Sequence, residues 1–194
     1  MLGRYKTEVA RVADPVARAM VGLRLRPNQL SFLGLVSSVI AAVLFAADQR
    51  RAGALCLALA GALDILDGAL ARASGQVSPF GAFLDSVLDR YSDLLVLAGL
   101  VFLFARLGRL DVVVAVLLAL IGTLMVSYTR ARAESVDVEC RVGFMERGER
   151  MLVLIAGALF DLLIPAIWVL ALGANATAVH RIIHTWRATR GVLR

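Results

Sequence analysis

The stretch "LDILDGALARASGQVSPFGAFLDSVLDR", Leu63–Arg90, sets Asp64, Asp67, Asp85 and Asp89 among side chains otherwise suited to the inside of a membrane. Asp64 and Asp67 are three residues apart and Asp85 and Asp89 four apart, so each pair shares one face of a helix. Two antiparallel neighbouring helices would bring all four carboxylates together. In apolar surroundings such a group cannot stay ionised unaided, because like charges and desolvation both penalise the charged form. A bound divalent cation removes the penalty. Oxygen-only ligands without a nearby histidine or cysteine point to a hard ion, Mg²⁺ or Mn²⁺, with room for two. Gly68, Ala69, Ala71, Gly75 and Gly81 allow close approach to the backbone, and Arg72 adds a fixed cation one turn beyond Gly68. Carboxylates, metal and arginine together make a seat for a phosphate or diphosphate.

The rest of the chain agrees with a membrane setting. Of 194 residues 60% are hydrophobic, with 21 Lys and Arg and 15 Asp and Glu, and the mean hydropathy is +0.80. That composition belongs to an all-α integral membrane protein and not to a soluble domain. Apolar stretches long enough to cross about 30 Å of hydrocarbon run over Gln29–Ala47, Gly53–Ala71, Phe80–Phe104 and Leu110–Tyr128. "MLVLIAGALFDLLIPAIWVLAL", Met151–Leu172, reads either as one helix or as two that turn at Asp161–Pro165. Charge decides between them. With two helices, 16 of the 21 Lys and Arg fall on one side and four (Arg50, Arg51, Arg106, Arg109) on the other; with one helix the split is 12 against eight. The positive-inside rule therefore favours six transmembrane helices with both termini cytoplasmic. Trp168 and Trp186 would then lie near opposite membrane surfaces.

Residues 1–24 lack the apolar core and small-residue cleavage site of a secretory signal, and read as an amphipathic helix on the membrane surface. Cys56 and Cys140 have no spaced partners for a metal ribbon or a disulfide framework. No repeats or low-complexity runs interrupt the chain, so 1–194 is taken as a single domain.

Written out, the opening stretch is D-x2-D-G-x2-A-R-x8-G-x3-D-x3-D, from Asp64 through Asp67, Gly68, Ala71, Arg72, Gly81 and Asp85 to Asp89. At every defined position it resembles the signature of the CDP-alcohol phosphotransferase family, and eight specified residues at fixed spacing make a strong motif. The resemblance implies a multi-pass enzyme of the cell membrane, homodimeric, with its active site open to the cytoplasm. It implies that Asp64, Asp67 and Asp85 are ligands of a two-metal centre, and that Asp89 both touches metal and takes the proton of the incoming alcohol. Gly68, Arg72 and Ser78 would contact the CDP-lipid together with Asp67, and "NQLS", Asn28, Gln29, Leu30 and Ser31, would add contacts at the start of the first spanning helix. The reaction would be attack of an alcohol oxygen on the lipid-linked phosphorus, with release of CMP. Metal neutralisation of the diphosphate and a positioned carboxylate base fit that chemistry.

The acceptor is read from "SYTRARAESVDVECRVGFMERGER", Ser127–Arg150. Positive-inside topology alone would place arginines here. The pieces S-Y-x-[RK]-A-R-A-E and G-F-x-E-R-x-E-R, however, look similar to the phosphatidylinositol phosphate synthase branch of the family. That likeness implies inositol phosphate as acceptor, held by Ser127, Arg130, Arg132, Arg147, Arg150 and Arg181, and arginine forks suit phosphate oxygens. Gly148 stands where that branch has proline. Glycerol 3-phosphate is the rival acceptor for the same chemistry. A cation transporter built on the intramembrane aspartates is the rival of another class, although transport has no need of Gly68, Arg72 and Gly81 at those offsets. Asp93, one turn beyond Asp89, is expected to pair with a basic or polar neighbour. No nucleic-acid partner is expected.

Overall fold

The structure is a computed structural model describing residues 14–22 and 26–190, which are helical throughout apart from turns and one longer loop. Residues 14–22 form a short helix, α1. It is followed by α2 (Pro27–Ala46), α3 (Arg50–Ala73), α4 (Pro79–Arg106), α5 (Leu110–Glu134), α6 (Arg147–Leu159) and α7 (Leu163–Arg190). Most of the expected surface segment, 1–24, lies outside the described residues. Within the described part, Ala17 is fully buried with Ala69 of α3, and Leu66 packs against them.

Local chemistry sets the boundaries. Pro27 opens α2, where its missing N–H costs nothing, and the Gln29 side chain accepts the Arg26 N–H at 2.9 Å. Ser78 caps α4 by accepting the Gly81 N–H at 3.0 Å, again with a proline next in line. Between α6 and α7 the chain reverses over residues 160–162, with Asp161 at φ 57° and the Leu162 N–H donating to the Gly157 carbonyl at 2.7 Å. The two-helix reading of Met151–Leu172 is what forms, and Pro165 falls in the first turn of α7.

α2 packs on α3 and α4, α4 on α5, α5 on α7, α7 on α6, and α6 back on α3, so six helices close into a ring. Small residues let them approach. A Cβ on Gly99 of α4 would collide with the backbone of Ala42 in α2, and one on Gly122 of α5 would lie 2.9 Å from the Cβ of Ala174 in α7. The outward faces carry Phe32, Val43, Leu55, Phe102, Leu110 and Leu172, all exposed. Such a continuous apolar exterior suits lipid and not water.

By length and composition α2, α3, α5 and α7 can cross a membrane, their best windows having mean hydropathies of 2.1, 1.8, 2.5 and 1.5. The two remaining helices expected to span fall short of that test for different reasons. α4 is 28 residues long, but Asp85, Asp89, Arg90 and Asp93 interrupt its apolar run. α6 has only 13 residues, roughly 20 Å at 1.5 Å per residue. It starts deep because the loop over residues 135–146 folds inward, burying Cys140 completely and leaving Met145 6% exposed.

The helices alternate in direction. Shared cavities bring the first turns of α2, α4 and α6 to one pole with the last turns of α3 and α5 and the C-terminal half of α7. At the other pole Arg51 of α3 pairs with Asp161 at 2.6 Å and ties the α2–α3 end to the α6–α7 turn.

Candidate active site

The acidic residues lie on the facing surfaces of α3 and α4. One carboxylate oxygen each from Asp64, Asp67 and Asp85 lie within 4.8 Å of one another. Asp67 is buried and accepts a hydrogen bond from the Ser31 hydroxyl at 2.6 Å. Three hard oxygen donors from two helices, with no nitrogen or sulfur among them, fit a divalent cation of the Mg²⁺ or Mn²⁺ kind. Asp89 has different company. It pairs with Nη1 of Arg147 at 2.9 Å, and the same nitrogen holds Asp64 at 2.8 Å. Asp64, Asp67 and Asp85 form the three-oxygen group, and Asp89 lines the same narrow space beside Asp64, with which it shares Nη1 of Arg147.

Asp93 pairs with Nη2 of Arg150 at 2.8 Å and lies 3.5 Å from Nε of Arg147. Arg150 also donates to the Met145 carbonyl at 3.0 Å, so this buried arginine is fixed from two sides. The basic partner expected for Asp93 is therefore present.

On one flank of the acidic cluster lies a cleft of about 340 Å³ between the start of α2, the end of α3 and the start of α4. Asn28, Ser31, Asp67, Gly68, Arg72 and Ser78 line it, as does Gly81, where a Cβ would come within 3.0 Å of the Ser78 hydroxyl. Gln29 and Leu30, grouped with them in the sequence, do not reach it. The Gln29 side chain is spent on the N-terminus of α2, and Leu30 is 1% exposed in the helix packing. Gln76 and Val77 of the α3–α4 turn complete the cleft, and no motif position marked them.

On the other flank a pocket of about 160 Å³ is lined by Ser127, Arg130, Arg147, Arg150 and Arg181, with Asp89 and Asp93 at its inner side. Arg132 is not in it. Its guanidinium donates to the Ser135 hydroxyl at 3.1 Å, and it lines a separate groove with Tyr128 and Trp186. Arg181, 2% exposed, spends Nε on the Val142 carbonyl at 2.9 Å and Nη1 on the Val126 carbonyl at 2.6 Å. Its first effect is to fasten the loop 135–146 to α5. Thr177 helps by accepting the Met145 N–H at 3.2 Å. Glu146, in the same acceptor motif, adds an acid to this basic wall, 3.9 Å from Arg181. Gly148 lies in the first turn of α6 with open space around it.

With the ring of apolar helices and the carboxylate cluster between a cleft and a basic pocket in place, the CDP-alcohol phosphatidyltransferase family model matches residues 24–186. The chain belongs to that family and is an enzyme of its transferase class. Among its relatives is archaetidylinositol phosphate synthase of Methanothermobacter thermautotrophicus, 37% identical over 193 residues, covering 96% of this chain and 95% of the relative. The phosphatidylinositol phosphate synthase of Mycobacteroides abscessus is 36% identical over 193 residues, 95% of this chain and 87% of the relative. Among solved structures, the Mycobacterium tuberculosis phosphatidylinositol phosphate synthase with CDP-DAG bound superposes with a TM-score of 0.84 at 34% identity, covering 91% of this chain and 94% of that one. The same enzyme in complex with manganese and citrate gives 0.82 at 33% identity, over 90% and 88% of the two chains.

Proposed function

We propose that this chain transfers the lipid phosphate of a CDP-activated lipid to inositol phosphate and releases CMP. The observation that carries the reading is the position of the acidic cluster, with the Arg72 cleft on one flank and the arginine pocket on the other. The relatives named above, which act in archaeal and bacterial inositol phospholipid synthesis by their names, support both the donor class and the acceptor.

Asp64, Asp67 and Asp85, with Asp89 beside them, would hold Mg²⁺ or Mn²⁺. Metal bound there supplies charge that neutralises the diphosphate and stabilises the departing CMP. The protein does the rest. Arg72 and the open backbone at Gly68 and Gly81 receive the diphosphate, while Asn28, Ser31 and Ser78 bound the nucleotide end of the cleft. Arg130, Arg147 and Arg150, with Ser127, take the acceptor's phosphate by charge-assisted hydrogen bonds. Arg181 keeps that wall in place. Asp89, between the two spaces, accepts the proton of the attacking hydroxyl, whose oxygen forms the new bond to the lipid-linked phosphorus as the bond to CMP breaks.

The same reading takes 1–194 as one domain with six membrane crossings, α1 on the surface, and both termini and the site on the cytoplasmic side. The alternating helix directions and the arginine-rich pole support it. A homodimer is proposed from the family resemblance.

Purified protein with CDP-lipid, Mn²⁺ or Mg²⁺ and inositol phosphate should release CMP, and omission of any one should stop it. Turnover with glycerol 3-phosphate but not inositol phosphate would replace the acceptor. CMP release equal in all acceptor-free controls would sink the transferase reading. No observation in the structure favours cation transport over this chemistry.

A further inference from the structure

Arg147 belongs to both halves of the site at once. Its Nη1 lies 2.8 Å from Asp64 and 2.9 Å from Asp89, which places its charge inside the carboxylate cluster. Its guanidinium also forms part of the wall of the basic pocket and of the narrow space between α2, α3 and α4 beside the aspartates. The side chain is one-fifth exposed, and its Nε lies 3.5 Å from Asp93. Arg150 pairs more closely with Asp93, at 2.8 Å, and donates to the Met145 carbonyl, and it touches neither Asp64 nor Asp89 by an ion pair. Of the two arginines on this face of α6, Arg147 is the one held by the metal-site carboxylates.

That position sets up a competition. A dication at Asp64 draws on the same negative charge that Arg147 uses, and two cations beside one carboxylate repel each other. A tetrahedral dianion in the basic pocket draws on the same guanidinium that Asp64 and Asp89 use. Each ligand therefore loosens the bond that opposes the other.

Resting on the function proposed above, we propose that Arg147 couples the two sites: it exchanges between the metal-binding carboxylates and the acceptor's phosphate, so that metal and acceptor bind cooperatively. By linkage the effect is reciprocal, each ligand raising the affinity of the other by the same factor. Arg147 is thus a positioning residue as well as a phosphate contact. Its consequence for turnover is joint loading, since metal and acceptor phosphate are each gripped well only when the other is present.

The test is Mn²⁺ binding to the full chain in detergent, followed by the paramagnetic resonance of free Mn²⁺, with and without sulfate. Sulfate is used as a tetrahedral dianion whose effect does not depend on which alcohol is the substrate. In the wild type, sulfate should tighten Mn²⁺ binding by about fivefold or more, the lower end of ordinary coupling between sites. In Arg147→Gln, Mn²⁺ alone should bind more tightly than to wild type, and sulfate should add no further tightening. Undiminished coupling in Arg147→Gln would overturn the proposal, because charge acting through space would then suffice. The wild type is a sufficient test by itself should the variant not fold, since absence of any sulfate effect there also overturns it. Asp85→Asn separates this from the underlying reading. If that variant binds Mn²⁺ as the wild type does, the metal seat itself is misplaced; if it loses Mn²⁺, the seat stands and the Arg147 result is judged on its own.

Discussion

Asp89 and Asp85 are one turn apart on α4, yet their surroundings assign them different work. Asp85 contributes to the three-oxygen group, while Asp89 is held by Arg147 at the inner side of the basic pocket. Asp89→Asn should therefore cut CMP release by about 10² to 10⁴-fold, the usual contribution of a positioned base, while Mn²⁺ binding persists. Asp85→Asn should lose Mn²⁺ binding and activity together. Manganese titration beside a CMP assay separates the two outcomes, and equal loss of metal in both variants would refute the division. The arginines divide by face. Arg130 and Arg132 are two residues apart, and positions so spaced on a helix point to different sides. Accordingly Arg130→Ala should raise the KM for inositol phosphate by about tenfold or more, as expected for one lost charge-assisted hydrogen bond, whereas Arg132→Ala should leave it within about twofold, a surface change of little energy. Steady-state kinetics against inositol phosphate checks both. This distinction was available in the sequence, as was that between Asn28 and Ser31, which face the cleft, and Gln29 and Leu30, which turn away. Motif matching groups neighbours, and helical periodicity sorts them. What no spacing reveals is that Arg181 is used up on the Val126 and Val142 carbonyls, because those partners lie 55 and 39 residues away.

Among the elements, α4 depends most on having nothing at one position. Gly99 lets its backbone touch that of α2 at Ala42, and this contact keeps the acidic face of α4 in register with α3 through their shared neighbour α2. Gly99→Val should destabilise the fold by about 1–3 kcal/mol, the ordinary cost of overpacking a tight contact. Thermal unfolding in detergent should show a lowered midpoint, with activity falling in step as the carboxylates lose alignment. An unchanged midpoint would mean that α2 and α4 slide freely. The ends of the long helices were legible because each carries its own signal: proline after Arg26 and Ser78, an apolar run between, and the Asp161–Pro165 turn. The shortness of α6 was not. An apolar run says how long a helix is able to be, but the entry of α6 is set by the loop 135–146, which turns inward because Arg181, Thr177 and His184 hold its backbone. Such anchoring is tertiary and leaves no period in the sequence.

At the scale of the molecule, charge and helix direction make one proposal together. The arginine-rich helix ends and both candidate substrate spaces share a pole, and the opposite pole carries the short α2–α3, α4–α5 and α6–α7 turns. Arginine is retained on the cytoplasmic side of a membrane, so the substrate pole should face inward. Trp168 and Trp186, 18 residues apart on α7 by their numbers, are separated by roughly 27 Å along the helix at 1.5 Å per residue, close to the thickness of the hydrocarbon layer. Single cysteines test this directly in a background where Cys56 and Cys140 are replaced by alanine. Leu107→Cys, in the exposed turn before α5, should react with a membrane-impermeant maleimide added to intact cells. Arg141→Cys, in the exposed part of the α5–α6 loop, should react only after the membrane is opened. Both sites lie outside the carboxylate cluster and the pockets beside it, so activity is expected to survive and to certify that the labelled protein is folded. Labelling of both from the same side would rule out the alternating arrangement. Labelling with the sides exchanged would preserve six crossings and invert the orientation, which would put the arginine-rich pole where a membrane enzyme drawing on a water-soluble cytoplasmic acceptor could not use it.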